Sequence, residues 1–436
     1  DDIIETIEVT VDSNSTKEIP ITINNSSTST LNYAAWYTPG NASIKVGTNL
    51  SNSDSSSPTG TITSNTTKKV YVQLKNTTSS TITITLGVSS NTTNVIISNS
   101  MTLVPNKELK SLLETITKLY TNATKTTKTV NSVTYNLASS VGLMNDRKGS
   151  MSTNIDAGNI RYYGASPNNY IYFNCSDYKN QTSSTCETWR IIGVFDGKVK
   201  IMRGSQIGNY SWDSSASDVD SGRGVNEWSQ ADLMKLLNSG YDSEIFGGSL
   251  YWNAKSGECY SGSDNMTKTC DFTNTGFKND TTRNMIAETT YYTRGHNTAV
   301  IYVNEMYNKE RVSGTVVSAT PTRTLTWTGK VAVAYPSDYG YAADLSLCQK
   351  QLGSYNDATC TANNWMKNIM APNYGWLLTP YSGAAYVAWY VDSPGNVDDR
   401  SVAYRANGVA PVLSLISELD IGSGTGTSSS PYQLSV

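Results

Sequence analysis

Acid–base, nucleophilic and metal chemistry have few residues to work with in this chain of 436 residues. Its one histidine, His296, sits in a polar turn, TRGHNT at 293–298. A lone histidine beside glycine is ordinarily a surface or hydrogen-bonded residue rather than a general base. The six cysteines fall as Cys175/Cys186, Cys259/Cys270 and Cys348/Cys360, with ten, ten and eleven residues between partners. A zinc knuckle spaces its ligands by about two to four residues, and one histidine nearly excludes a mixed Cys/His site. Three local disulfides formed in an oxidising compartment remain, with no thiol left over for catalysis. Among acidic groups, Asp218 and Asp220 with Glu227 begin like a calcium loop. The bidentate glutamate of that loop of about twelve residues would fall at position 229, which is Ser229. Asp392 with Asp398 and Asp399 is a second acidic group. Solvated turns are the default for both. No metal or cofactor is therefore expected, with calcium the one ion such turns could hold. No glycine-rich phosphate loop follows a strand. The chain reads as a non-enzyme.

Recognition has more to work with. Residues 376–415 begin and end in apolar, strand-like runs, while 381–407 between them is dense in Tyr, Asp, Asn, Ser, Arg and Ala on a Gly/Pro-punctuated backbone. Binding residues concentrate on loops held by a rigid frame, and aromatics mixed with small polar groups give contact area at low entropic cost. The candidate ligand-binding residues are Tyr381, Asp392, Asn396, Asp398, Asp399, Arg400, Tyr404, Arg405 and Asn407. Trp376, Trp389 and Tyr390 could stack on sugar rings, but beside apolar frame residues they read first as core.

The elements that must position these residues are legible in part. Within 1–104, apolar–polar alternation recurs at 7–11, 19–23, 70–74 and 82–86, with further strands expected at 31–37, 43–46, 60–63, 95–97 and 101–104. Many short strands with regular turn signals predict an antiparallel β-sandwich of immunoglobulin-like type, which without a clustered display reads as a spacer. An apolar stripe on 107–120, running from Leu109 through Leu112, Leu113, Ile116 and Leu119 to Tyr120, predicts a helix. With a loose hairpin near 121–137, it would make a stiff connector over 105–139. Beyond it, WRIIGVF (189–195), Asp196-Gly197 and KVKIM (198–202) predict a hairpin with a type I′ turn. Ser229 and Asp232 frame a capping box for a short helix, and further short helices are expected at 281–290, 299–310 and 363–370. Abundant Trp and Tyr, scattered hairpins and tied loops describe an α+β domain of high loop content over 140–416, closed by a terminal β-hairpin at 417–436.

Charged residues are 16% of the chain and the net charge is −3, which argues against nucleic acid or an anionic membrane as partner. No run approaches about 18 apolar residues. The chain opens directly at Asp1, so the expectation is the mature form of a secreted protein. Asn-x-Ser/Thr triplets at Asn14, Asn25, Asn41 and Asn76 are expected to be accidents of an Asn/Ser/Thr-rich composition rather than glycan acceptors.

The segment CSDYKNQTSSTCETWRIIGVFDGKVKIMR (175–203) and the cassette WLLTPYSGAAYVAWYVDSPGNVDDRSVAYRANGVAPVL (376–413) resemble modular surface proteins of Firmicutes-related gut bacteria. In that family a β-sandwich precedes a domain of C-type-lectin-like fold, shared with formylglycine-generating enzymes and with the variable proteins of diversity-generating retroelements. The resemblance covers about 140–420 and implies export to the bacterial cell surface. Retroelement diversification leaves residue types like those at Tyr381, Asp392, Asn396, Asp398, Asp399, Ser401, Arg405 and Asn407 at binding positions. The chain departs from animal lectins in lacking the Glu-Pro-Asn, Gln-Pro-Asp and Trp-Asn-Asp triplets, and from formylglycine-generating enzymes in lacking free cysteines. The expected function is therefore adhesin-like binding of a host or bacterial surface protein or glycan through the C-terminal display. The alternative is a structural subunit of a filament or pilus, self-associating by strand addition through 3–11 or 431–436.

Overall fold

The computed structural model describes residues 4–25, 30–38, 42–47, 59–63, 66–90, 110–214, 223–262, 265–318, 321–403 and 405–435. The strands expected at 95–97 and 101–104, the first residues of the apolar stripe including Leu109, the acidic turn at 218–222, Asn41 and Tyr404 lie outside them. Among the described residues the structure is mostly β, with several sheets and no barrel. It divides into two compact units, residues 1–108 and 109–436.

The first unit contains β1 (Ile4–Val11), β2 (Thr16–Asn25), β3 (Leu31–Thr38), β4 (Ala42–Gly47), β5 (Thr59–Ile62), β6 (Thr66–Asn76) and β7 (Ile82–Ser90). One sheet runs β1-β7-β3-β5 and the other β2-β6-β4, every pair antiparallel. Period-two patterning explains the layers, since successive side chains point to opposite faces. Val9 and Val11 are buried on β1, as are Val70, Val72 and Leu74 on β6. Asn76 is also buried, and its Nδ2 lies 2.9–3.0 Å from the carbonyls of Val11, Asp12 and Ser80. It staples three strand ends.

The second unit opens with β8 (Lys110–Ser111) and α1 (Leu112–Asn122), followed by β9 (Thr126–Val130), β10 (Val133–Ala138), β11 (Leu143–Asn145), β12 (Ile160–Tyr162), β13 (Tyr170–Phe173), β14 (Glu187–Phe195) and β15 (Lys198–Arg203). The helix starts later than its apolar stripe predicts. Lys110 and Ser111 pair with the strand Asp420–Ser423, and Ser111 then caps α1 by accepting from Glu114 N at 3.4 Å. Nor is α1 a separate connector: Leu112, Ile116 and Tyr120 enter the main core of this unit. The hairpin after it is regular rather than loose, with Asn131 and Ser132 at φ 45° and 61°, and it extends the central sheet.

That sheet runs from β9 through β10, β11, β12, β14 and β15 to the strands Val412–Leu415 and Ile286–Ala287. The β14–β15 hairpin turns at Asp196 and Gly197, with φ of 46° and 74°. The mostly apolar run WRIIGVF, interrupted by Arg190, reflects burial on both faces. Trp189, Ile191, Ile201 and Leu413 pack into one core, while Ile192, Met202 and Val412 pack into the other. Short helices cover the faces, including Asp232–Leu237, Asp280–Asn284, Val303–Asn308, Pro336–Tyr341 and Lys367–Met370. Ser229 does not cap the first of these. It donates to Glu227 Oε1 at 2.6 Å, and Glu227 instead caps a 3₁₀ turn at Trp228–Gln230.

All three cysteine pairs stand at disulfide distance, with Cα–Cα separations of 3.9 Å (Cys175–Cys186), 6.1 Å (Cys259–Cys270) and 4.6 Å (Cys348–Cys360). The C-terminal hairpin of Asp420–Ser423 with Gln433–Ser435 does form. Tyr432 beside it exchanges backbone hydrogen bonds with Tyr170 and Tyr172 at the edge of β13.

Candidate functional site

A second, three-stranded sheet carries the expected display: Gly375–Pro380, Val387–Val391 and Val397–Ser401, in that order. The first strand is buried throughout, with Trp376 and Leu378 in one core and Leu377 in the other. The stretch 381–407 is thus not one continuous display. Residues 387–391, VAWYV, form a fully buried strand through its middle, and Val402 and Ala403 are buried as well. Trp376, Trp389 and Tyr390 are core residues, 0%, 1% and 4% exposed, so none presents a face to a sugar.

The nine candidates separate accordingly. Asp398, Asp399 and Arg405 are exposed, while Tyr381, Asp392, Asn396 and Arg400 are half-buried. Asn407 is buried, which removes it from the surface. Tyr404 is not described. Asp392 closes the turn between the second and third strands: its Oδ1 accepts from Gly395 N at 2.8 Å and from Asn396 N at 2.6 Å. Asn396 in turn accepts from Asn356 N at 3.0 Å. These two shape the turn rather than offering free groups. Tyr381 packs edge-on against Trp389, ring centroids 5.4 Å apart.

What comes together is a cluster on one face of the edge strand. Strand register sets Tyr390 opposite Asp398, and alternation puts Arg400 on the same side. The Tyr390 hydroxyl donates to Asp398 Oδ2 at 3.2 Å. The Arg400 guanidinium lies 4.7 Å from the ring centroids of both Tyr390 and Tyr374, each contact contributing about 0.5–1 kcal/mol at an exposed site. Burial, then the Asp398 carboxylate, pushes the Tyr390 phenol up to about 12. Burial, then its neighbour Asp398, raises the Asp399 carboxyl. Tyr374 is 38% exposed with φ at 57°, a left-handed conformation rare for a bulky residue. Tyr374 falls outside the nine candidates. Its one local signal was its position before Gly375, where a turn had to place an aromatic at the surface.

A second residue missing from the nine, Asn226, shapes the loop before the buried strand. It is 2% exposed, and its Nδ2 lies 2.8–3.0 Å from the carbonyls of Tyr381, Ala384 and Val387. Its Oδ1 accepts from Arg323 Nε at 2.9 Å. Asn226→Ala would take their side-chain donor from the Tyr381 and Ala384 carbonyls and leave the Val387 carbonyl with Tyr381 N alone, at an expected cost of about 1–3 kcal/mol. Denaturant unfolding measures that cost, and amide exchange at 381–387 should rise with it.

Glu227 does not reach toward an ion. It is 1% exposed and accepts from Thr324 N at 2.7 Å and from the Thr324 hydroxyl at 2.8 Å. Among the described residues, no group of three His, Cys, Asp or Glu side chains converges as a metal site. His296 pairs with Tyr381 across an isolated bridge, and burial followed by Lys309 lowers its pKa, favouring the neutral ring. No protein-family model, curated protein or solved structure matches this chain.

Proposed function

We propose that this chain is an extracellular bacterial surface protein, adhesin-like, that binds a protein or glycan ligand through the edge of the sheet at 397–401 and its exposed neighbour Tyr374, with the buried Tyr390 backing Arg400. The second unit would have the C-type-lectin-like fold, and the first would be an immunoglobulin-like spacer. One observation carries the reading. On a sheet otherwise buried on both faces, an edge strand presents Asp398, Asp399 and Arg400, with two tyrosines gathered around the arginine. Tyrosine and arginine are the side chains that most often dominate binding energy. The three disulfides fit an oxidising compartment, and among the described residues no helix is long and apolar enough to cross a membrane.

The test is a glycan-and-protein array probed with the full chain and with a variant carrying D398A, D399A, R400A and R405A. Capture by the cognate target is expected to weaken about 30-fold or more. Each site is exposed or half-buried, so stability should change little. Equal capture by both proteins would remove this reading. The filament alternative has less support, because β1 is paired along its length with β7 and Gln433–Ser435 is already paired with Asp420–Ser423.

A further inference from the structure

A buried arginine without a counter-ion lies apart from the residues invoked above. Arg190, on β14, is 8% exposed. Its Nε donates to Asn169 Oδ1 at 2.6 Å. A guanidinium carries five N–H donors, yet among the described residues neither terminal nitrogen finds an acceptor, and Nη2 is fully buried without one. No carboxylate pairs with it there either. The neighbouring Arg203 differs, held by Glu187 through Nε at 3.0 Å and Nη2 at 3.2 Å. Two aromatic rings fix the Arg190 guanidinium, with Tyr170 3.7 Å and Trp365 4.9 Å from its centre. Burial pulls its pKa down to about 10, as a cation without an anion partner requires.

Arg190 also lines an open cavity of about 520 Å³, together with Thr188, Ser205, Asn368 and the ion pair of Glu187 with Arg203, whose charges offset each other. That is the size range of small-molecule sites. Burying an unpaired charge is costly, and stacking on two rings orients the guanidinium without neutralising it. Nη2 is sealed from the cavity, but Nη1 is neither buried nor bonded among the described residues, and a charged N–H donor of this kind suits a carboxylate oxygen. We infer that this cavity is a binding site for a small carboxylate, with Arg190 as its anion anchor and the surrounding hydroxyl and amide groups contacting the body of the ligand. A uronic acid and the free end of a peptide both offer this chemistry.

Isothermal titration of the full chain separates the sources and tests the site. The probes are galacturonate against its methyl ester, N-acetylglycine against its amide, and inorganic phosphate. At least one acid is expected to bind saturably, and at least 10-fold more tightly than its neutral counterpart. Galacturonate alone would identify an acidic sugar, and N-acetylglycine alone a peptide end. Arg190→Gln should weaken the acid at least 10-fold while leaving the thermal midpoint unchanged or higher, since it removes an uncompensated buried charge. Thr188→Trp, which fills the cavity from its exposed rim, should also weaken the acid and leaves Arg190 in place should the first variant fail to fold. The inference is overturned if no acid binds, if ester or amide binds as well as its acid, if phosphate alone binds, or if folded Thr188→Trp and Arg190→Gln proteins bind the acid unchanged.

Discussion

Asp338→Asn is expected to destabilise the second unit by about 3–5 kcal/mol, the range seen when one partner of a buried ion pair is removed. Asp338 is 1% exposed. One carboxylate oxygen accepts from Arg161 Nη1 at 2.9 Å, and the other takes Lys200 Nζ and Tyr335 N, the latter at 3.1 Å. Arg161, itself 1% exposed, also bonds Asp146 Oδ2 through Nε. Asparagine keeps the size but leaves Arg161 with Asp146 alone and takes from Lys200 its carboxylate partner. Burial alone would raise the Asp338 carboxyl; Lys200 and Arg161 reverse that and hold it well below the usual carboxylate range. A depressed folded pKa contributes stability above the unfolded value of about 3.9, lost as pH falls through the folded value. The gap between wild type and Asp338→Asn should therefore be full at neutral pH and shrink below about pH 4. Guanidinium unfolding at pH 7 and pH 3 measures both numbers. A gap under about 1 kcal/mol at pH 7 would mean that this network contributes no more than a surface pair.

Breaking all three disulfides should have a still larger summed effect, confined to one unit. Each closes a loop of about a dozen residues, for which chain entropy gives about 3 kcal/mol. The three bridges are separate in the chain and would together approach about 9 kcal/mol if additive. That rivals the entire margin of a typical domain, about 5–15 kcal/mol. They sit where the unit has few regular elements. Cys175–Cys186 ties the end of β13 to the start of β14, Cys259–Cys270 clamps the hairpin of Ser256–Tyr260 with Thr267–Asp271, and Cys348–Cys360 anchors the helix Ala358–Ala362. Guanidinium unfolding with and without reductant should show one transition moving sharply. The first unit has no cysteine and serves as an internal control. If its transition moved equally, the effect would not belong to the disulfides.

Local signals determined much of this protein. Alternating residues foretold β1, β2, β6 and β7 of the first unit, because a strand's side chains change face at every step, and turn signals between short runs foretold β3, β4 and β5. Asp196-Gly197 foretold the β14–β15 turn, because few other residues accept positive φ twice in succession. The three cysteine pairs were legible because a short separation leaves each sulfur one near partner.

Partners distant in the chain decided the rest. Lys110 and Ser111 read as helix until a strand about three hundred residues later claims their backbone groups. VAWYV at 387–391 sits in the midst of polar residues, and only the two sheets and two cores around it make it a buried strand rather than part of the display. Asp392 looks like a ligand-facing carboxylate, yet its own turn consumes it. Asn226 and Arg190 carry no local mark at all. One is significant because three loop carbonyls converge on it, the other because its terminal nitrogens find no acceptor among the described residues. Composition and periodicity report what neighbours in sequence will do; which polar groups stay unsatisfied is decided by packing across the whole unit.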